Sequence, residues 1–405
     1  MFLDALIVII LLTFIIEVIL EHLNERSSAN TPDPLVAGLY NEEERRRSIS
    51  YGEERNKLGL FSGALSTSAM LLALGFGWFA ELDSFISDRI TNSLLVSLVF
   101  IGSLSVISWL ISLPFAIWSV FGIEAKFGFN KSTPKTFLLD NIKGTFVGVA
   151  LGAPLLAAII WLYERYEDRF WLYGWLLVSS FSIFMFMFGT KLILPLFNKL
   201  TPLADGKLKA QIADYCTSQG YSLKNLFVMD GSKRSTKANA FFSGLGRSKT
   251  IVLFDTLIEK LSKEEIVAVL AHEIGHYKRR HTLAMFIASI LQTLAIFGLL
   301  GWALGYSQLS AALGAESNKF HLSALAFFIL LTPLQILLGL INNSLSRRNE
   351  FDADTFAAKT YKREPMRTAL SKISTDSLAN LSPHPLYVAF NYTHPPLVER
   401  LKNVG

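Results

Sequence analysis

Long apolar stretches alternate with short polar segments along most of this chain. About 20 apolar helical residues span the hydrocarbon core of a bilayer, and stretches of that length recur here with few charged residues. We count seven of them and predict that each crosses a membrane once. Their approximate residue ranges are 3–20, 60–80, 94–121, 145–163, 171–197, 283–306 and 322–345.

The pattern changes between residues 198 and 281, which form the longest polar stretch. Apolar side chains in 207–218 recur at helical spacing. Three short strands are predicted between clusters of turn-forming residues, at 225–229, 238–242 and 250–254. Ser262 and Glu265 form a capping-box pattern, which predicts the start of another helix. This stretch therefore indicates a small α+β domain outside the membrane.

The composition agrees with a membrane protein, because 51% of the 405 residues are hydrophobic and only 18% are charged. An excess of Lys and Arg in short loops marks the cytoplasmic side. The first and third loops are basic, and the alternate loops carry few such residues. We therefore expect the N-terminus outside or in a lumen and the C-terminus in the cytoplasm. The net charge of +5 indicates contact with anionic membrane lipid and needs no nucleic-acid partner.

A His-Glu-x-x-His pattern occupies residues 272–276 of the predicted helix. Residues four apart on a helix lie one turn above each other, so His272 and His276 present two imidazoles to one point. Glu273 is offset by one position, where its carboxylate can act as general base on a metal-bound water. The pattern predicts a zinc-dependent peptidase with one Zn²⁺ per chain.

A catalytic zinc needs a third protein ligand. His281 would extend the pattern toward the metzincin type, but that type needs Gly and His where this chain has Arg279 and Thr282. Glu350 is the predicted third ligand, and Asp354, one helical turn later, can accept the second ring N–H of a ligating histidine. The alternative that both acids are solvated surface residues stays open from the spacing alone.

The position of the motif along the chain predicts where the metal site lies relative to the membrane. Only six residues separate His276 from Thr282, where the sixth apolar stretch is about to begin, a distance of about 9 Å along a helix. Glu350 follows the seventh stretch just as closely. We therefore expect the metal between two helices that leave the membrane side by side, so that substrate arrives at the membrane surface.

Several further segments, taken with the metal motif, resemble the type I CAAX prenyl proteases, which are integral-membrane zinc metallopeptidases of the gluzincin group. The resemblance runs through nearly the whole chain and keeps the order of the family's motifs. The segments are Phe-Gly-Phe-Asn-Lys-Ser-Thr at 127–133, Lys-Ala-Asn-Ala-Phe-Phe at 237–242, Asn-Glu-Phe-Asp-Ala-Asp at 349–354, Asn-Tyr-Thr-His-Pro-Pro at 391–396 and Glu-Arg-Leu at 399–401.

The resemblance implies an all-α multi-pass membrane protein whose seven transmembrane helices enclose a large chamber, with a small α+β cytoplasmic metalloprotease domain. We accordingly divide the chain into four regions. Residues 1–197 hold five transmembrane helices, 198–281 form the zinc-protease domain, 282–345 hold helices six and seven, and 346–405 form a C-terminal cytoplasmic helical segment that completes the zinc site.

The resemblance also implies site residues. The zinc ligands fall on His272, His276 and Glu350, and the general base falls on Glu273. Asn239 and Ala240 match a strand that pairs with the substrate backbone. His394 and Arg400 match residues near the metal that stabilise the oxyanion or hold substrate, although the residues alone suggest a turn histidine and a surface charge.

The family's substrates are prenylated proteins or peptides ending in Cys-aliphatic-aliphatic-any, from which the last three residues are removed. Two other readings are open. One is a heat-shock-type quality-control metalloprotease that cleaves unfolded membrane proteins, although that group has fewer spans. The other is a non-catalytic zinc-storing or ligand-moving membrane protein, which an intact Glu273 disfavours. The sequence gives no indication of the oligomeric state, and it does not distinguish a bacterial inner membrane from the endoplasmic reticulum.

Overall fold

The fold of the N-terminal half is a set of long helices. The structure is a computed structural model that describes residues 1–220, 225–243 and 250–405. Helix α5 continues into a π-helical segment, Trp118–Glu124, and a 3₁₀ turn, Glu167–Arg169, follows α6. The helices are α1 (Phe2–Ser28), α2 (Pro34–Ala37), α3 (Glu42–Gly75), α4 (Trp78–Ser87), α5 (Ser93–Ile117), α6 (Pro134–Tyr166), α7 (Phe170–Leu192) and α8 (Leu194–Phe197).

The C-terminal half contains a small sheet followed by helices of mixed length. The strands are β1 (Leu200–Pro202), β2 (Leu226–Met229), β3 (Ala240–Ser243) and β4 (Thr250–Phe254). The helices are α9 (Lys207–Ser218), α10 (Asp255–Lys260), α11 (Lys263–Lys278), α12 (His281–Leu304), α13 (Gln308–Ala312), α14 (Phe320–Leu330), α15 (Thr332–Thr360), α16 (Arg363–Asp376), α17 (Pro385–Asn391) and α18 (Leu397–Val404).

Within the described residues, five helical stretches are long and apolar enough to cross a membrane. One of them, Pro134–Phe197, is 64 residues long and comprises α6, α7 and α8. A sixth is obtained if α14 and α15 count as one span, which bends by 52° between the two helices, next to Pro333 in the first turn of α15. The prediction of a multi-pass membrane protein is confirmed, and the structure supports five to six spans where we predicted seven.

The spanning helices expose large apolar side chains, as lipid contact requires. Phe146 on α6 is 73% exposed and Trp302 on α12 is 66% exposed. Many other large apolar side chains of these helices are also exposed, and extensive exposed apolar surface is uncommon on soluble proteins because it costs free energy in water. The hydrocarbon of a bilayer removes that cost.

The sheet has the strand order β1-β2-β4-β3, in which β2 and β4 run parallel and the two outer strands run antiparallel to their neighbours. The predicted helix 207–218 and the strands near 225–229 and 250–254 are confirmed. The strand predicted at 238–242 begins two residues later, at Ala240. We did not predict β1, because three residues ending in Pro202 carry little strand signal.

A single apolar core unites the sheet with helices from the end of the chain. Ile251 and Leu253 of β4 pack in one cluster with Ile266 and Leu270 of α11 and with Met366 of α16. All five side chains are almost completely buried. Residues of 198–281 and 346–405 thus share one core, which holds α11 in a fixed position.

The loop after α5 anchors the segment that leads into β3. The rings of Phe127 and Phe129 pack against Tyr51 of α3 at centroid distances of 5.0 and 5.2 Å. Lys237 donates hydrogen bonds of 2.8 Å to the Tyr51 hydroxyl and to Oε2 of Glu124, the last residue of the π-helical segment. The entry to the edge strand is therefore tied to the membrane helices by an ion pair and aromatic packing.

Helix α11 begins as predicted and lies closely against α15. Ser262 accepts a hydrogen bond from the Glu265 amide and the Glu265 side chain accepts one from the Ser262 amide, so both halves of the capping box are formed. Near its end, Gly275 faces the backbone of α15. A Cβ on Gly275 would lie 3.2 Å from Cα and 3.3 Å from the carbonyl oxygen of Ala353. The absence of a side chain there permits the close approach of the two helices.

Gly275→Ala should therefore lower the thermal stability of the protein. The added methyl meets backbone, which cannot rotate away, and overpacking of this kind costs about 1–3 kcal/mol. Thermal unfolding in detergent measures the effect. Gly298→Ala on α12 is the matched control, because nothing lies within 4 Å of its added Cβ, and it should unfold no earlier than wild type. Equal melting temperatures for Gly275→Ala and wild type would show that the helices are not in tight contact.

Candidate active site

Three side chains from two helices converge on one point. His272 and His276 lie one turn apart on α11, and Glu350 comes from α15. The two Nε2 atoms are 3.1 Å apart. Oε1 of Glu350 lies 3.1 Å from Nε2 of His276, and its Oε2 lies 3.4 Å from Nε2 of His272. The structure therefore brings together the three residues predicted as metal ligands.

The arrangement fits a divalent metal ion. The three donor atoms lie within 4.8 Å of one another. Oε2 of Glu350 is buried and makes no hydrogen bond, and its cationic neighbour is the Arg400 guanidinium at 3.3 Å, which also pairs with Asp354. A buried carboxylate oxygen that lacks a hydrogen bond is costly, and a metal ion bound here would compensate it further. Two imidazoles and a carboxylate also form the ligand set of one large class of catalytic metal sites, in which a fourth position stays open.

Asp354 lies against His272, one of the three candidate metal ligands. Its Oδ1 is 2.8 Å from Nδ1 of His272, on the side of the ring away from the metal position. Asp354 is fully buried, and its charge is balanced by Arg400, whose Nε and Nη2 donate to the two carboxylate oxygens at 2.8 and 2.6 Å. This contact can hold the His272 ring with Nε2 facing the metal.

Arg400 is largely buried rather than a surface charge. Its side chain is 13% exposed, and its Nη2 also lies 3.3 Å from Oε2 of Glu350. The guanidinium is thus shared between the third ligand and Asp354. Its charge is directed at the two acids of α15, Glu350 and Asp354.

Glu273 lies beside the three candidate metal ligands and is not one of them. Its carboxylate interacts electrostatically with His272, His276, Glu350 and Arg400. Burial raises the pKa of Glu273 above its usual range, because the charged form loses hydration, although the nearby imidazoles and guanidinium act in the opposite direction. A carboxylate whose proton affinity is raised in this way is better suited to accept a proton near neutral pH.

His394 lies at the open side of the cluster. Its Nε2 is 3.4 Å from Oε1 of Glu350, while its Nδ1 lies 3.0 Å from the Thr393 hydroxyl. The side chain is 63% exposed, in contrast to the buried ligands. His394 is therefore accessible to a molecule that approaches the metal position.

Asn239 and Ala240 stand at the start of β3. Ala240 pairs with Leu253 of β4, and the Asn239 carbonyl accepts a hydrogen bond from the Phe254 amide. The Asn239 side chain accepts one from the Ala240 amide at 2.8 Å. Among the described residues, β3 pairs with β4 alone, so its second edge faces away from the sheet. An extended peptide can add to an edge of this kind.

Two residues near the metal ligands were not predicted to have a role there. His281, which we considered only as a ligand, places its Nδ1 3.1 Å from Nδ1 of His276. Its Nε2 lies 3.2 Å from Oδ2 of Asp352 on α15. The spacing of five residues from His276 could have drawn attention to His281, but its return toward α11 depends on Arg280, which has a φ of 60° that the sequence does not indicate.

Comparison with known protein families finds one match in each half of the chain. Residues 20–199 match the family described as the CAAX prenyl protease N-terminal region with five membrane helices. Residues 202–405 match peptidase family M48. Together the two matches extend over most of the chain.

Individual relatives are similar over nearly their full length. A CAAX prenyl protease 1 homolog of Arabidopsis thaliana is 38% identical, over 92% of this chain and 90% of that protein. CAAX prenyl protease 1 of Saccharomyces cerevisiae is 33% identical, over 91% of this chain and 87% of that protein. The crystal structure of S. mikatae Ste24p superposes with a TM-score of 0.95 at 31% identity, covering 100% of this chain and 99% of that one.

Arg400→Lys should weaken metal binding. A lysine cannot make the two parallel hydrogen bonds to Asp354, and loss of partners behind metal ligands typically costs 10–100-fold in metal affinity. Chelator competition followed by metal analysis measures it. Lys402→Gln is the control, because Lys402 lies on the same helix and pairs with Asp33 at the surface. Wild-type affinity in Arg400→Lys would contradict a positioning role for the guanidinium.

Proposed function

We propose that this chain, which belongs to peptidase family M48, is a zinc-dependent membrane endopeptidase. Its N-terminal half matches the family of the CAAX prenyl protease N-terminal region, and we infer that it removes the last three residues of prenylated CaaX proteins or peptides. The observation that carries the proposal is the convergence of His272, His276 and Glu350 next to Glu273. The substrate class rests on relatives that are named CAAX prenyl proteases.

His272, His276 and Glu350 would hold the zinc ion. When bound, zinc polarises the scissile carbonyl and makes water acidic enough to attack near pH 7. Glu273 accepts the proton that the attacking water loses as its oxygen bonds to the carbonyl carbon. Glu273 then returns this proton to the amine nitrogen as the C–N bond breaks, so the carboxylate is regenerated.

His394 and Arg400 have different positions and, we infer, different tasks. His394 is exposed at the open side of the cluster, where its ring can donate a hydrogen bond to the carbonyl oxygen as negative charge develops. Arg400 is held by Asp354 and Glu350. Its contribution is to hold Asp354 and Glu350 in place while the charge of the site changes.

The substrate backbone is proposed to bind along β3. An extended peptide that adds to this edge would pair with β3, which begins at Ala240 directly after Asn239. Strand β3 also contacts α11, the helix of the metal ligands. A peptide on this edge would lie close to the metal position.

The membrane arrangement that we propose has seven spans around a chamber. The 64-residue stretch Pro134–Phe197 comprises two long helices that contact each other, so we count it as two spans, and we count the bent pair α14–α15 as one. The five membrane helices described for the related N-terminal region agree with this count. The excess of Lys and Arg in the first and third loops favours a cytoplasmic position for the C-terminus and the zinc site.

Replacement of Glu273 by Gln should abolish cleavage while zinc stays bound. The amide is similar in size but cannot accept the proton from water, so a loss of at least about 10²–10⁴-fold in rate is expected. The assay compares a farnesylated CaaX peptide with its unmodified twin, together with zinc content. Cleavage by Glu273→Gln at the wild-type rate would refute the mechanism.

Two further measurements test the preference for prenylated substrates and the identity of the third zinc ligand. Equal cleavage of the farnesylated and unmodified peptides by wild type would remove the prenyl preference and favour a quality-control protease. Glu350→Ala should lose zinc, because it removes one of three ligands, and a variant with full zinc affinity would show that the third ligand is elsewhere.

A further inference from the structure

We propose that His281 and Asp352 form a positioning pair that fixes the metal ligand His276. This inference rests on the proposed zinc site and adds a residue pair to it. The ring of His276 faces the other donors through Nε2, so its Nδ1 points away from the metal position. That Nδ1 lies 3.1 Å from Nδ1 of His281, whose Nε2 lies 3.2 Å from Oδ2 of Asp352.

The contacts leave one consistent order of protons. Metal binding through Nε2 requires a lone pair there, so the proton of neutral His276 lies on Nδ1. His276 Nδ1–H then donates to Nδ1 of His281, and His281 Nε2–H donates to Asp352. Each ring nitrogen along this line has one role, and the carboxylate at its end is a hydrogen-bond acceptor.

His281 contacts His276 on the side away from the metal position, so it is placed to orient that ligand and not to bind the metal itself. Its Nδ1 faces the side of the His276 ring that is opposite to Nε2, and the two rings meet edge to face at a centroid distance of 5.2 Å. His281 is 9% exposed, so this contact is shielded from water. A shielded hydrogen bond restricts the rotation of a ligating imidazole more than a solvated one does.

The backbone before His281 supports a specific role for this contact. Arg280 adopts φ 60° and ψ 26°, in the left-handed region that non-glycine residues rarely occupy. This conformation ends the turn after α11 and begins α12 at His281. Strained backbone is retained where the surrounding structure requires it. Here the conformation of Arg280 directs the His281 side chain toward His276 on α11.

The two histidine ligands are therefore supported differently. His272 contacts a fully buried carboxylate directly, through Asp354. His276 contacts a carboxylate through an intervening imidazole that begins α12, and Asp352 lies on α15. Helix α12 is one of the five apolar stretches long enough to cross a membrane, and α15 belongs to the bent pair that we count as another span. The orientation of His276 thus depends on how two spans are placed relative to α11.

His281→Asn and His281→Leu separate this role from simple packing. The amide oxygen of Asn can take the position of Nδ1 and accept from His276, whereas Leu fills the space without an acceptor. We expect zinc affinity to fall 10–100-fold in His281→Leu and to be largely kept in His281→Asn. The Co²⁺ absorption spectrum should shift in His281→Leu, and the melting temperature without metal should be the same in both variants.

Asp352→Asn and Arg279→Gln complete the set. Asp352→Asn should weaken zinc binding less than His281→Leu, since the amide oxygen still accepts from His281. Arg279 also lies near Asp352, with Nε 3.6 Å from Oδ2 and a side chain 54% exposed, so Arg279→Gln is the matched control and should bind zinc as wild type does.

The outcomes distinguish this inference from the proposed function. If wild type binds no zinc, the proposed function fails. If wild type binds zinc and His281→Leu binds it equally well, or if His281→Asn loses as much affinity as His281→Leu, the positioning pair is overturned and the proposed function stands. A fall in metal-free melting temperature confined to His281→Leu would assign His281 a structural role and would also overturn the pair.

Discussion

The close approach of α11 and α15 is the constraint on which the rest of the site depends. It is possible because Gly275 has no side chain where the backbone of Ala353 lies against it. At this separation, Glu350 reaches the two imidazoles of α11 and Asp354 reaches the far side of His272. A wider gap would leave the histidines without their third partner, whatever the sequence of α15.

This approach also concentrates negative charge. Glu273, Glu350 and Asp354 bring three carboxylates to one region, and the guanidinium of Arg400 lies against two of them. Buried carboxylates are unfavourable without paired cations. A divalent ion bound between His272, His276 and Glu350 would neutralise the remaining negative charge. Metal binding and the packing of α11, α15 and α18 therefore stabilise one another.

The site is connected to the membrane region from several directions. Helix α12 begins at His281, almost directly after α11, and α15 is the second helix of the bent apolar pair. Lys237, just before the edge strand β3, is paired with Glu124 at the end of the π-helical segment that follows α5. A change in the packing of the spans would therefore act on the metal ligands and on the strand beside them together.

Local patterns in the sequence were sufficient for part of this architecture. The apolar stretches indicated the membrane helices because a bilayer demands long runs of apolar residues, and the spacing of His272 and His276 indicated the metal because helix geometry is fixed within one turn. The helix 207–218, the capping box at Ser262 and most of the strands followed from the same short-range rules.

Contacts between distant segments were decided by the tertiary structure alone. The burial of Arg400 against Asp354, the shared core of the sheet with α16, and the return of His281 to His276 each join residues whose spacing carries no signal of contact. The left-handed turn at Arg280 is unfavourable for that residue by itself. The sequence alone determined which side chains can bind a metal and which segments prefer lipid. Only packing decided which of those side chains meet, because the free energy of a buried contact depends on every group that excludes water from it.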